Sequence, residues 1–288
     1  MRSEFQELWR FRELLFAMVE RELKIRYKNS VLGFVWSLLM PLATILVMWL
    51  VFKVFLRNDT PNFSAYVLAA YLPYQFIQLA VLDSAQSVLI SLPVVKKVYF
   101  PREILPLASV ISNFIHLLLS LPIFFIFLFV IYATYGFEVS PFTWRMLFLP
   151  VLLVITFMLT AGMAFIISAL NVFYEDVKYA VSLLLYIFFF LTPVMYFSEN
   201  VFYALKDKPY GMLLYNLYHA NPMAMLVTAY KKTLVPMGKI DPGGGEGLIP
   251  MLPMNWPMFG VTVAITLAFF FGGYALFNRM KWRFVERP

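Results

Sequence analysis

The sequence predicts an all-α integral membrane protein with six transmembrane helices, an N-terminal amphipathic interface helix and a re-entrant outer helical pair. Three observations predict it. Hydrophobic residues make up 62% of the 288-residue chain and charged residues only 14%, where an ordinary soluble domain carries about 25% charged residues. Several apolar runs exceed the roughly 18 residues that mark a candidate span. Most Lys and Arg residues gather at alternate ends of those runs, the pattern that orients membrane helices with basic segments inside.

Residues 4–28 have helical periodicity. Phe5, Leu8, Trp9, Leu15, Phe16, Val19 and Leu23 fall on one arc at 100° per residue. Arg10, Glu13, Glu20, Arg21, Lys24 and Lys28 fall opposite, while Arg12 and Glu22 blur the pattern. A helix lying in the membrane interface fits this distribution, with its polar face toward water. A soluble cap helix is the alternative. Residues 1–30 are therefore read as an interface segment and 31–288 as one six-span domain.

The six spans are expected at 31–56, 64–92, 104–135, 146–170, 180–197 and 256–278. Pro41 lies inside the first, Pro106 near the start of the third and Pro122 within it. Roughly 20 helical residues cross the hydrocarbon, so the second and third are long enough to tilt or to project beyond it. With both termini inside, the N-terminal region holds Arg2, Arg10, Arg12, Arg21, Lys24, Arg26 and Lys28. Lys96, Lys97, Arg102, Lys178, Arg279, Lys281, Arg283 and Arg287 share that side. The long outside loop 198–255 is partly apolar. Its stretch 210–235 is interrupted by Asn221-Pro222 and is too short for two full spans, so a re-entrant or interfacial helical pair is expected there. Two further spans are the alternative. Asp241-Pro242-Gly243-Gly244-Gly245-Glu246-Gly247 reads as a turn-rich outer loop.

Composition excludes several functions. The net charge of +7 lies at span ends and forms no soluble basic patch, so nucleic acid is not expected as a partner. The chain has no cysteine, which removes disulfides and thiolate metal sites. The first 30 residues are too charged to read as a signal peptide. His116 and His219 are the only histidines, and no zinc or nucleophile motif surrounds them. Adjacent Glu175 and Asp176 diverge on a helix and read as a loop facing a partner. No catalytic residue, bound cofactor or metal is expected in this chain.

The loop 93–103 is short, basic and aromatic: Pro93-Val94-Val95-Lys96-Lys97-Val98-Tyr99-Phe100-Pro101-Arg102-Glu103. A bare basic anchor is one reading. The other is a short surface helix that offers Val95, Val98, Tyr99 and Phe100 to a soluble protein. The run Leu23-Lys24-Ile25-Arg26-Tyr27-Lys28-Asn29-Ser30-Val31-Leu32-Gly33-Phe34-Val35-Trp36, with Pro41 after it, resembles the start of the transmembrane permeases of bacterial polysaccharide ABC exporters. The loop Val94–Glu103 resembles that family's coupling helix. Leu170-Asn171-Val172-Phe173-Tyr174-Glu175-Asp176-Val177, Leu191-Thr192-Pro193-Val194-Met195-Tyr196 and Asn221-Pro222-Met223 follow in family order. The set covers nearly the whole chain. At position 175 the family usually carries Arg, and this chain has Glu175.

The resemblance implies a homodimer bound to two ATP-binding-cassette subunits, exporting lipid-linked O-antigen, capsule or teichoic acid from the cytoplasm. It places the chain in the bacterial cytoplasmic (inner) membrane, multi-pass, with both termini cytoplasmic. It assigns coupling to the ATPase to Val95, Lys96, Lys97, Val98, Tyr99, Phe100, Pro101 and Arg102. The interface helix would contribute Arg21, Lys24, Arg26 and Lys28. The sequence has no phosphate-binding loop of the G-x-x-x-x-G-K-[ST] type. ATP and Mg are accordingly expected on the partner subunit.

Aromatic residues make up 19% of the chain, and aromatic faces suit the C–H edges of sugar rings. Trp36, Tyr71 and Tyr74 are candidate channel-lining residues on that ground, with interfacial belts as the alternative. Asp83, Asn113 and His116 are polar groups inside spans, where ionisable side chains are expensive and tend to face a cavity or the bundle interior. Hydrogen bonds between packed helices are their alternative role. Two other functions compete with export. An integral membrane transferase on lipid-linked sugars requires a carboxylate or His cluster at one membrane face. An ion-coupled secondary transporter requires matching repeated halves, which this sequence lacks.

Overall fold

The computed structural model describes residues 2–27, 39, 42–44, 46–47, 50–55, 60, 62–134, 142–240 and 248–285. Most of the first expected span, with Trp36 and Pro41, lies outside them, as do Lys28, the side chain of Arg26 and the loop 241–247. A π-helical turn, Leu50–Phe55, belongs to that first span.

Two helices open the chain, α1 (Arg2–Arg10) and α2 (Arg12–Tyr27). The long helices follow: α3 (Phe63–Val95), α4 (Ile104–Thr134) and α5 (Leu149–Phe173), the last preceded by a 3-10 turn at Trp144–Phe148. Then come α6 (Val177–Leu191), the short α7 (Ser198–Leu205) and α8 (Gly211–His219), α9 (Pro222–Leu234) and α10 (Trp256–Met280). A 3-10 turn, Lys281–Val285, ends the described chain. The one departure from all-helical structure among the described residues is a two-residue antiparallel ladder pairing β1 (Lys239–Ile240) with β2 (Ile249–Pro250).

Among the described residues, four helical stretches are long and apolar enough to cross a membrane: Phe63–Val95, Ile104–Ala133, Trp144–Phe173 and Trp256–Phe284. At 33 residues, α3 is about 50 Å long, against a hydrocarbon thickness of about 30 Å. It is therefore long enough to tilt or to extend beyond the hydrocarbon. Asn62 starts it in a left-handed conformation, φ 56°, which Asn tolerates better than most residues. The fifth expected span is shorter than 180–197. Its helix, α6, has 15 residues, or about 22 Å of rise. It stops before Thr192-Pro193, because proline disfavours helical conformation in the residue ahead of it. Val194 and Phe197, which hydropathy assigned to the span, are instead buried in the structure beyond it.

The core lies where α3, α4 and α5 pack together, with α10 and α9 against α5 and α3. Tyr74, Ile77, Phe124, Leu128, Leu152, Leu159 and Phe277 are all buried within it. Helices α5 and α10 approach closely at Gly162 and Gly273. A Cβ on Gly162 would stand 2.5 Å from the backbone of Phe269, so the contact depends on the missing side chain. Small residues at such crossings let helix backbones meet where lipid supplies no hydrophobic drive. The outer faces carry exposed Ile126, Phe129, Val130, Val154, Leu183 and Phe271, as a lipid-solvated bundle does.

Contacts between elements sort the two ends of the bundle. The ends of α3, α5 and α10 meet the start of α4 at one end, where Phe173 and Phe277 both pack on Phe284. The start of α3 meets the segment 196–236 at the other, where Tyr66 packs on Phe197 and its hydroxyl donates to the Pro236 carbonyl at 2.6 Å.

Candidate functional site

The loop between α3 and α4 is held by four buried residues. The Lys96 N–H bonds the Leu92 carbonyl and caps α3, and Lys97 and Val98 each bond back to Val94 at 3.0 Å. Val95, Phe100, Pro101 and Glu103 are buried, and Ile104 N–H reaches the Pro101 carbonyl at 3.2 Å to begin α4. What the loop presents outward is Lys96, Lys97, Val98 (57% exposed) and Tyr99 (72% exposed). The expected short helix over 95–102 does not form. Pro101 has no N–H and keeps Phe100 extended, so the backbone turns instead of coiling. Val95 and Phe100 are thus anchors that fix the loop, and the outward surface is narrower than helical spacing suggests.

Two other parts of the chain meet this loop. The Tyr99 hydroxyl donates to Glu7 Oε1 on α1 at 2.9 Å, a bond that pushes the phenol pKa up. Arg102 donates to the Lys281 carbonyl, and Lys281 Nζ lies 2.5 Å from Glu103 Oε1. Helix α2 packs Leu14, Met18 and Val19 on the core, while Trp9, Phe16 and Ile25 are exposed. Trp9 and Phe16, on the apolar arc, stay outside the face packed on the core. Arg21 and Lys24 are also exposed. Lys24 pairs with Glu20 at 2.5 Å, a surface i,i+4 pair of small net value. Tyr174, Glu175, Asp176 and Tyr179 are exposed between α5 and the first turn of α6 at the same end. Trp282 and Arg283 are exposed beside them in the last turn.

The candidate lining residues separate in the structure. Asn113 donates to Asp83 Oδ2 at 2.9 Å and to the Ser109 carbonyl, joining α3 to α4 inside the bundle. His116 is half-buried one turn further along α4, its carbonyl accepting from Ser120. Tyr71 is half-buried. Tyr74 is fully buried, its ring edge-on to Phe189 and its hydroxyl bonded to the Leu185 carbonyl. Tyr74 thus ties α3 to α6 and presents no face to open space.

At the opposite end a buried polar cluster organises α7, α8 and α9. Asn221 caps α9, its side chain accepting from Met223 N–H at 3.1 Å, and Pro222 occupies the first turn where its missing N–H is harmless. Lys232 Nζ lies 3.0 Å from Glu199 Oε1 and also donates to the Leu252 carbonyl. Glu199 Oε1 in turn accepts from Leu252 N–H. Lys231 donates to the Tyr196 carbonyl at 2.7 Å and lies over the Phe197 ring. Sequence reading passed over Glu199, Lys231, Lys232, Glu103 and Lys281. A signal existed at Lys231-Lys232: two cations in an otherwise apolar stretch need buried partners.

The ABC-2 type transporter family matches residues 13–235, which carry the loop, helices α2 to α9 and the Glu199–Lys232 pair beyond. The chain belongs to that family. Among its curated relatives is the O-antigen export system permease protein RfbA of Klebsiella pneumoniae, 27% identical over 275 residues, covering 95% of this chain and 94% of the relative. The protein of the same name from Myxococcus xanthus is 34% identical over 226 residues, covering 78% of this chain and 82% of its own. This ABC-2 permease is a multi-pass membrane protein, and its family normally works with an ATP-binding subunit. The ATPase is then a separate subunit, and this chain is the transporter.

Proposed function

We propose that this ABC-2 permease moves a lipid-linked polysaccharide out across the bacterial cytoplasmic membrane. Two copies form the pathway and two ATP-binding-cassette subunits, which hold ATP and Mg, drive it. The observation that carries the reading is the similarity to two O-antigen export permeases, one along 95% of this chain and the other along 78%. The exposed Lys96, Lys97, Val98 and Tyr99 at the loop end supply a surface fit for a soluble subunit.

On this reading the loop end faces the cytoplasm, together with both termini. The span 31–56 and α6 complete six crossings, and α8 and α9 fold back at the outer face as a re-entrant pair. Closure of the ATPases pushes the loop 93–103, whose buried anchors carry the displacement into α3 and α4. Helices α1 and α2 lie along the membrane surface with Arg21 and Lys24 toward water and lipid headgroups, and Arg26 and Lys28 are assigned to the same interface segment. Asp83, His116, Tyr71 and Trp36 are the residues assigned to the glycan path. Tyr74, whose hydroxyl is spent on Leu185, serves packing.

Deleting the gene tests the reading. Lipid-linked glycan is expected to accumulate on the inner face and to disappear from the cell surface, with recovery on complementation. Unchanged surface glycan in the deletion strain would refute polysaccharide export.

A further inference from the structure

Resting on that reading, we propose that Glu103 and Lys281 form a strut that delivers movement of the cytoplasmic loop directly to the last span, α10. Both are positioning residues. The loop is covalently continuous with α3 and α4 only. Helix α10 lies 178 residues further along the chain at this contact and packs mainly on α5 through Gly162 and Gly273. Without a direct link, a push on the loop reaches α10 indirectly, mainly through α5.

The link is a reciprocal clamp. Lys281 is the C-cap of α10, so its carbonyl lies at the helix end, where the α-helical ladder gives way to the 3-10 turn. Arg102 donates to that carbonyl, and a cation there also complements the negative end of the helix. Lys281 reaches back with its own ammonium to Glu103 Oε1 at 2.5 Å. Two consecutive loop residues therefore hold the main chain and the side chain of one residue. The side chains of Glu103 and Lys281 are 2% and 13% exposed. Water screens such a buried pair little, and losing one partner strands the other charge. Glu103 Oε2 has no hydrogen-bond partner among the described residues, so Lys281 supplies the main compensation for the carboxylate. The pair adjoins buried Ile104 at the start of α4 and the Phe284 contacts below α10. Rigid surroundings on both sides suit it to transmit displacement rather than absorb it.

The test uses the full complex with its ATPase subunit, and the chain's lack of cysteine makes single labels clean. An environment-sensitive fluorophore is placed at Gly260→Cys, on the far part of α10 where a side chain meets nothing. A second preparation carries it at exposed Ile90→Cys, on α3 near the loop. ATP with Mg is expected to change both signals in the otherwise unsubstituted complex. Glu103→Gln or Lys281→Met is expected to cut the Gly260→Cys response at least fivefold and to leave the Ile90→Cys response in place. The charge reversal Glu103→Lys with Lys281→Glu is expected to restore it. An undiminished Gly260→Cys response in the single variants would overturn the strut alone. So would equal loss at both labels, or no restoration by the charge reversal. An unsubstituted complex that binds no ATPase, or shows no ATP response at either label, would overturn the functional reading and the strut with it.

Discussion

The Tyr99 hydroxyl donates to Glu7 Oε1 at 2.9 Å, joining an exposed loop to a helix 92 residues earlier in the chain. The bond fixes a side chain that is otherwise 72% exposed. It makes the first helix and the loop one surface, which neither segment supplies alone.

Neighbouring loop residues should behave oppositely on substitution. Phe100 is 6% exposed, and Phe100→Ala should destabilise the protein by about 3–5 kcal/mol, the usual cost of emptying a buried aromatic site. Tyr99→Ala should leave melting in detergent nearly unchanged and weaken binding of the ATPase subunit. Equal melting losses in the two variants would contradict this division of the loop into anchor and docking surface.

Gly162→Leu should disrupt the crossing of α5 and α10, since even a Cβ there stands 2.5 Å from the Phe269 backbone. Overpacking of this kind costs about 1–3 kcal/mol or more. Size-exclusion profiles after heating should show a lower aggregation temperature than for Gly260→Leu, where nothing lies within 4 Å. Matching profiles would mean the helices separate freely.

Much of the fold was legible because it is local. Apolar run length gave α3, α4, α5 and α10 to within a few residues, and Asn221-Pro222 marked the break between α8 and α9 through capping chemistry that both residues carry. Hydropathy overran the end of α6 because Val194 and Phe197 look the same to it whether they meet lipid or protein, and only Pro193 betrays the stop. Burial of Phe100 was hidden since helical spacing was applied to a loop that Pro101 prevents from coiling. The pairs Glu103–Lys281 and Glu199–Lys232 are distant in sequence, and no periodicity reports them. The candidate residues Asp83 and Asn113 were read only as polar groups inside separate spans, and their mutual bond is what the structure adds.

Glu199→Ala should be costly. It removes the carboxylate that faces Lys232 at 3.0 Å, with the two side chains 1% and 6% exposed. Stranding a buried charge costs about 3–5 kcal/mol. The double change Glu199→Ala with Lys232→Met should recover most of that loss in a melting experiment; a double variant as unstable as the single one would assign the cost to lost packing.

Stability should rise with pH above neutrality through Lys231. Burial pulls its pKa down to about 7, opposed in part by Glu199, while an unfolded lysine titrates near ~10.4. Between those values the unfolded chain binds the extra proton, so raising pH favours the folded state; below about 7 both states are protonated and the dependence ends. Melting temperatures measured from pH 6.5 to 9.5 should climb for the native protein and climb less for Lys231→Met. The same slope in both would place the ionisation elsewhere.

On the proposed reading, the loop end docks an ATP-hydrolysing subunit. Co-purification of this chain with its ATPase, followed by ATP hydrolysis in lipid, tests it most directly. A stable complex with two copies of each chain is expected, with loss of both binding and hydrolysis when Val98 and Tyr99 are replaced by Asp in a variant that still melts normally. A complex that forms and hydrolyses ATP undiminished with both aspartates in place would contradict it.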